Sequence, residues 1–284
     1  MLSRPKVTEE LLEQIRQVIE DNPDWGRTRI SNHLCELWDW RIPGGTYKEI
    51  SCRDMLRALD KAGKIQLPAP KRSPVIWGPI QHKEHNTDPI VCELGNLRPL
   101  CIDVVEGGAG LTEFKSLIDQ YHYLGFGRTI GENMKYIVRS NTGAVLACLL
   151  FGAAAWSCYD RDEYIGWDSQ QRTKNLQMLT NNVRFLVVPW VQVPHLASHI
   201  LSLIASRLSA DWQVKYGHHI MCLETFVEIK RFRAVCYRAA NWINVGRTVG
   251  RGRGDRLHTA ALPEKDIYLL PLNRHWREAL LGQG

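Results

Sequence analysis

The sequence predicts an α/β (α+β) protein, with a small helical unit over residues 1–68, a linker over 69–99 and a larger mixed-sheet domain over 100–284. Three observations predict it. Apolar residues recur at helical spacing in three short N-terminal segments. After residue 100, strand-like runs alternate with helical ones. A stretch rich in Pro, His and charge, without periodicity, separates the two patterns. With 44% hydrophobic residues and 10 Trp in 284 positions, sizeable cores are expected.

Residues 8–21 put Leu11, Leu12, Ile15, Val18 and Ile19 on one stripe, with Thr8 as N-cap and Asn22-Pro23-Asp24 as the stop. A second helix is expected from Arg27 to Trp38, burying Ile30, Leu34, Leu37 and Trp38. The turn Pro43-Gly44-Gly45-Thr46 precedes a third helix, Ser51 to Lys61, with Met55, Leu56 and Leu59 inward and Gly63 at its C-terminal stop. A short strand, Lys64 to Leu67, completes the outline of a helix-turn-helix or winged-helix unit. Its charge is partitioned: residues 1–40 carry five Lys/Arg against eight Asp/Glu, and residues 41–72 eight against three. Arg53, Arg57 and Lys61 share one face of the third helix, and Lys71 and Arg72 follow. Such a face suits a recognition helix against phosphates, and equally a solvated helix surface.

In the larger domain a helix is expected around Leu111–Gln120, then a hairpin of Met134–Arg139 and Ala144–Phe151 about the turn Ser140–Gly143. An acidic, aromatic loop (156–168) leads to a polar helix, Gln170–Thr180. An apolar strand, Phe185–Val188, feeds a long amphipathic helix, Leu196–Tyr216. Strand Ile220–Val227, a helix over Phe232–Trp242 and strand Asp266–Pro271 follow.

Composition excludes several classes. The eight cysteines are scattered singly, without a C-x-x-C pair, so neither a zinc site nor a disulfide framework is expected. They read as reduced core residues in a cytoplasmic protein. The longest apolar run, Ala144 to Trp156, is too short to span a bilayer, and the N-terminal run has no signal-like apolar segment.

A second basic cluster, Lys230 to Arg256, holds eight Lys/Arg against Asp255 alone. Its Gly246–Gly254 segment, carrying Arg247, Arg251 and Arg253, is suited to phosphate contact, or is merely a solubilising loop. Arg238, Asn241 and Trp242 are further nucleic-acid candidates, Trp242 and Trp167 as base-stacking rings. Carboxylates are the other resource. Asp160, Asp162, Glu163 and Asp168 lie in one loop, and Glu224 sits in a strand expected to be buried. Asp162, Asp168 and Glu224 together would hold Mg²⁺ and activate water, whereas the plainer reading pairs Glu224 with Arg184 or Arg161. His122, between Tyr121 and Tyr123, fits a general base or an aromatic cluster. Spacing does not choose a tyrosine nucleophile among Tyr121, Tyr123 and Tyr237.

An apolar strand feeding a long helix resembles the GNAT acetyltransferase architecture, in which a Gly-containing loop cradles a pyrophosphate at the helix N-terminus. Here that loop is Gln192-Val-Pro-His-Leu-Ala197. His195 fills a glycine position and Pro194 removes a donor, which disfavours coenzyme A and acyl transfer. In that architecture Tyr237 would stand in the region of a tyrosine acid.

Longer runs resemble the DruA family of Druantia anti-phage proteins: Tyr121-His-Tyr-Leu-Gly125, Arg161-Asp162, Ile165-Gly-Trp167, Asn182-Val-Arg-Phe-Leu186, His195-Leu-Ala-Ser198, Asp211-Trp212, Leu223-Glu-Thr-Phe-Val227, Cys236-Tyr-Arg-Ala-Ala-Asn-Trp242 and Val245 to Arg253. The resemblance implies a bacterial defence setting beside a large helicase-like partner. The expected function is a DNA-binding component that contacts nucleic acid through the basic helix and the Gly/Arg segment. The alternative is a metal-dependent nuclease or transposase-like strand-processing enzyme.

Overall fold

Thr8 opens the first helix by accepting the Leu11 N–H at 3.2 Å, with Glu9 and Glu10 at the positive end of the helix dipole. The computed structural model describes residues 7–41, 47–69, 79–127, 129, 131–250 and 262–283. The chain divides into two units, Met1–Gly78 and Pro79–Gly284. In the first, α1 (Glu9–Asp21), α2 (Arg27–Leu37) and α3 (Glu49–Lys61) surround a core that includes Ile15, Ile30, Leu34, Met55 and Leu56.

Two expectations fail in this unit. Leu37 is exposed and Trp38 only half-buried, and Trp40 takes the buried place beyond the end of α2. Residues 64–67 bury Ile65 and Leu67 but form no strand. Side chains have taken their main-chain groups: the Lys64 carbonyl accepts from Arg16, the Leu67 N–H donates to Asp60, and the neighbouring Pro68 carbonyl accepts from Arg27 at 2.7 Å. The unit is therefore a three-helix cluster with a pinned tail, without a wing strand among the described residues. The 43–46 turn, Lys71 and Arg72 lie outside those residues.

The second unit contains strands β1 (Ile90–Val91), β2 (Cys101–Val104), β3 (Asn133–Arg139), β4 (Val145–Ala153), β5 (Leu179–Val187), β6 (Val191–Gln192), β7 (Cys222–Glu228), β8 (Ile243–Arg247) and β9 (Lys265–Pro271). Its helices are α4 (Gly108–Tyr121), α5 (Tyr159–Ile165), α6 (Ser169–Asn175), α7 (Leu196–Tyr216), α8 (Val235–Ala239) and α9 (Trp276–Leu281). Seven strands form one mixed sheet in the order β2-β3-β4-β5-β7-β9-β8, and β1 pairs with β6 alone. The main core joins this sheet to α4 and α7 through Phe114, Tyr136, Phe151, Ile200 and Trp212. A smaller cluster, including Ile165, Trp167, Leu269 and Trp276, packs α5 and α9 against strands of the same sheet.

Much of the expected linker belongs to this unit. His82 bonds Asp119 at 2.7 Å, the Lys83 N–H donates to Ser116, and β1 pairs in parallel with β6. The segment is held by these polar bonds to α4 and, further on, by Ile90, Leu94 and Leu97 packing against the main core. The acidic 156–168 stretch is likewise no loop: it holds α5, stopped by Gly166 at φ 87°. The polar helix ends at Asn175, and β5 starts at Leu179, well before the apolar residues that signalled it. The Gly/Arg segment begins as edge strand β8. No described helix is long and apolar enough to cross a membrane.

Candidate functional site

β5 and β7 run parallel and pair only between Leu179–Asn181 and Cys222–Glu224. Beyond Glu224 they part. On its other side β5 carries a bulge: Leu150 opposes Arg184 and Phe151 opposes Asn182, leaving Val183 as the extra residue. Where the ladder is missing, side chains bridge the gap. The Tyr237 hydroxyl donates to Asn182 Oδ1 at 2.7 Å and the Thr225 hydroxyl to the Asn182 carbonyl at 3.1 Å. The Asn182 amide donates to the Leu150 and Arg184 carbonyls. These bonds hold open a cleft of about 560 Å³.

Arg184, Arg233 and Lys265 line the cleft, and among the described residues no Asp or Glu does. Arg184 is half-buried; its Nε donates to the Gly125 carbonyl and its Nη1 to that of Val183, and it has no carboxylate partner among the described residues. Burial pulls its pKa below the ordinary guanidinium value. His122 lines the same cleft, and burial, helped by Arg184, lowers its pKa to about 4. The ring is therefore neutral near pH 7. Its Nδ1 accepts the Leu124 N–H at 3.2 Å, which puts the ring proton on Nε2. Tyr123 stands at the mouth with the Arg231 guanidinium 4.6 Å above its ring and Phe232 5.2 Å away.

At the closed end of the same strand pair lies a different arrangement. Arg161 and Glu224 are both fully buried and bonded at 2.8 Å. Arg161 also reaches Asp162 at 2.7 Å and the Ala155 carbonyl at 2.7 Å, while Glu224 accepts the Ala155 N–H. Asp162 further accepts from Trp167 Nε1, Arg172 and the Cys158 N–H. Burial opposes the Arg161 charge, but Glu224 and Asp162 outweigh it and raise its pKa. Burial pushes the Glu224 pKa upward against the pull of Arg161.

The sequence-predicted residues separate accordingly. His122 and Tyr237 share the cleft, but Tyr237 is buried and its hydroxyl is committed to Asn182, so it acts as a strut. Asp162 and Glu224 belong to the Arg161 network, which selects Arg161 over Arg184 as the Glu224 partner. Asp168 caps α6 through the Gln170 and Gln171 N–H groups. The three carboxylates expected around Mg²⁺ thus have protein partners already, and no group of three metal-ligating side chains occurs among the described residues. Trp167 and Trp242 are buried at 7% and 4% exposure and pack as core, so neither offers a face to a base.

Of the nucleic-acid candidates, Arg57 and Lys61 are exposed on α3, Arg57 with Asp54 at 3.4 Å, and Arg53 is half-buried. Arg238 and Asn241 are exposed near α8. Arg247 is tied down by Asp266 at 3.0 Å, and its N–H donates to Asp160 at 2.7 Å. Arg251 and Arg253 lie outside the described residues. At the start of α7, Pro194 has no N–H, His195 adopts φ 62°, and the Leu196 N–H is used by the Val193 carbonyl. These residues do not fit a pyrophosphate cradle.

From sequence Arg184 was weighed only as a partner for Glu224, and Lys265, Phe232 and Asn181 were not singled out as site residues. A cation inside the otherwise apolar Val183-Arg184-Phe185 run was a usable signal, because a charge there is costly unless it has a purpose. Lys265 and Asn181 reach the cleft only through strand register.

No curated protein matches the chain. Among solved structures it is similar to a spermidine/spermine N-acetyltransferase from Vibrio cholerae, at TM-score 0.41 and 8% identity over 62% of this chain and 94% of that one. A ribosomal-protein alanine N-acetyltransferase from Escherichia coli is similar at TM-score 0.38 and 11% identity, over 61% and 94%. The family profile described as Druantia protein DruA matches residues 76–261, which include the Arg161 network, α7 and the cleft apart from Lys265. The chain belongs to the DruA family, a component of the Druantia anti-phage system.

Proposed function

We propose that this chain is the DNA-binding component of its defence system and that the cleft between β5 and β7 is its principal contact. One observation carries the reading: three cationic side chains line a concave opening in which no carboxylate stands among the described residues. A cleft lined by one sign of charge concentrates oppositely charged ligands, and the DNA backbone is the densest common polyanion. Exposed Arg231 and Arg238 extend the positive surface beyond the mouth. The α3 face bearing Arg57 and Lys61 supplies a second contact on the N-terminal unit, as a recognition helix would. The protein acts in the cytoplasm beside a large helicase-like partner that supplies the strand-moving work.

Fluorescence anisotropy of the full chain with labelled DNA across a salt series tests this. Binding should weaken steeply with salt, and Arg233→Glu with Lys265→Glu should lower both the affinity and the slope of log K against log salt. Failure to bind any DNA at low salt overturns the reading.

A further inference from the structure

We infer that the cleft receives an unpaired nucleotide of single-stranded DNA, its base stacking on the exposed Phe232 ring at the mouth and its flanking phosphates meeting Arg184, Arg233 and Lys265. The inference rests on the DNA reading above and deepens it. Contact with a phosphate backbone needs only exposed cations; it does not need a cavity. The opening measures about 560 Å³, within the range of roughly 300–1,000 Å³ typical of sites that enclose a small molecule.

Its walls suit a base more than a sugar or a phosphate alone. Phe232 keeps 45% of its surface exposed and Tyr123 39%, at the mouth of a protein whose rings are mostly buried. Their rings meet edge to face at 5.2 Å and 60°, and Arg231 covers Tyr123, so Tyr123 braces Phe232 and the outer face of Phe232 is left for a base. An exposed aromatic pair beside free cations is the combination by which single strands are held: rings stack bases and cations track the backbone. The His122 ring, with Nδ1 occupied by the Leu124 N–H, offers Nε2–H as a donor to the edge of an unpaired base. In a duplex these edges are already paired and stacked, and extruding a base costs a few kcal/mol. The cleft therefore favours strands that are already open.

The test compares a labelled oligothymidylate single strand with a perfect duplex of equal length, both against the full chain at low salt. The single strand should bind about ten-fold tighter. Phe232→Ala, which truncates a half-exposed ring and leaves the core intact, should weaken the single strand roughly ten-fold and spare the duplex. Equal affinity for both strands, or a Phe232→Ala change that leaves single-strand binding intact or weakens both alike, overturns the pocket while the DNA reading stands. Failure of both DNAs to bind overturns both inferences.

Discussion

The two ends of the β5/β7 strand pair carry opposite electrostatic designs. At the paired end, Arg161 and Glu224 lie fully buried, each with further hydrogen bonds, and Asp162 and Arg172 complete a closed set of charges. At the parted end, Arg184, Arg233 and Lys265 face a cleft with no carboxylate in its lining among the described residues. A buried charge survives only when its counter-charge is built in, so the first set is structural. A cation at an opening, with no counter-charge built in, can meet a ligand's charge, so the second set is available for binding. The same few residues of backbone, by pairing or by parting, decide which case applies.

Breaking the closed end should have the largest effect. Arg161→Ala strands Glu224 without a cation and should cost about 3–5 kcal/mol in urea unfolding. The double change Arg161→Met with Glu224→Leu should recover much of it, because the pair mainly offsets its own desolvation. A single variant costing under about 1 kcal/mol would refute the contrast with the open end, since that is the size of a solvated pair. Arg233→Glu should leave the unfolding midpoint nearly unchanged while it weakens DNA binding.

Next in size is Gly246→Ala. Gly246 sits at φ 147°, and an added Cβ would collide with the Asp160 carboxylate that also accepts the Arg247 N–H. The strained backbone and the clash should together cost about 1–3 kcal/mol, measured by thermal unfolding. Asp160→Gly in the same chain should relieve the clash and leave the conformational part.

A third test sharpens the open end. Burial holds His122 at about 4 in the folded protein, against an ordinary value near 6.5. As pH falls below about 6.5, the unfolded chain takes up a proton that the folded ring refuses until about 4. Stability should therefore decline between those values and level off below them. His122→Asn should flatten that part of the pH dependence of Tm. An unchanged slope would mean that the ring is solvated and that the cleft is more open than its geometry indicates.

Local elements were legible wherever one residue type fixed them. Thr8 capped α1, Gly63 ended α3, the 140–143 turn joined β3 to β4, and α7 spans the residues its apolar spacing marked. Elements whose polar residues find distant partners were not legible. The 64–67 segment looks like a strand until Arg16 and Asp60 take its backbone groups, and the 156–168 stretch looks like an acidic loop until Arg161 turns inward. Trp242 looked like a stacking ring but lies 5.1 Å from Tyr237 in the core.

By itself, the sequence determined the two-part organisation, the alternation of strands and helices, the family and the basic character of the 230–247 region, because each depends on residue type and short spacing. Tertiary structure alone decided which charges are neutralised and which stay free. That outcome depends on where β5 and β7 stop pairing, which brings Arg184, Arg233 and Lys265 from three separate segments to one opening and leaves Glu224 facing Arg161. Charge is a property of a residue, but its free energy depends on what lies within a few ångströms, and no local spacing records that.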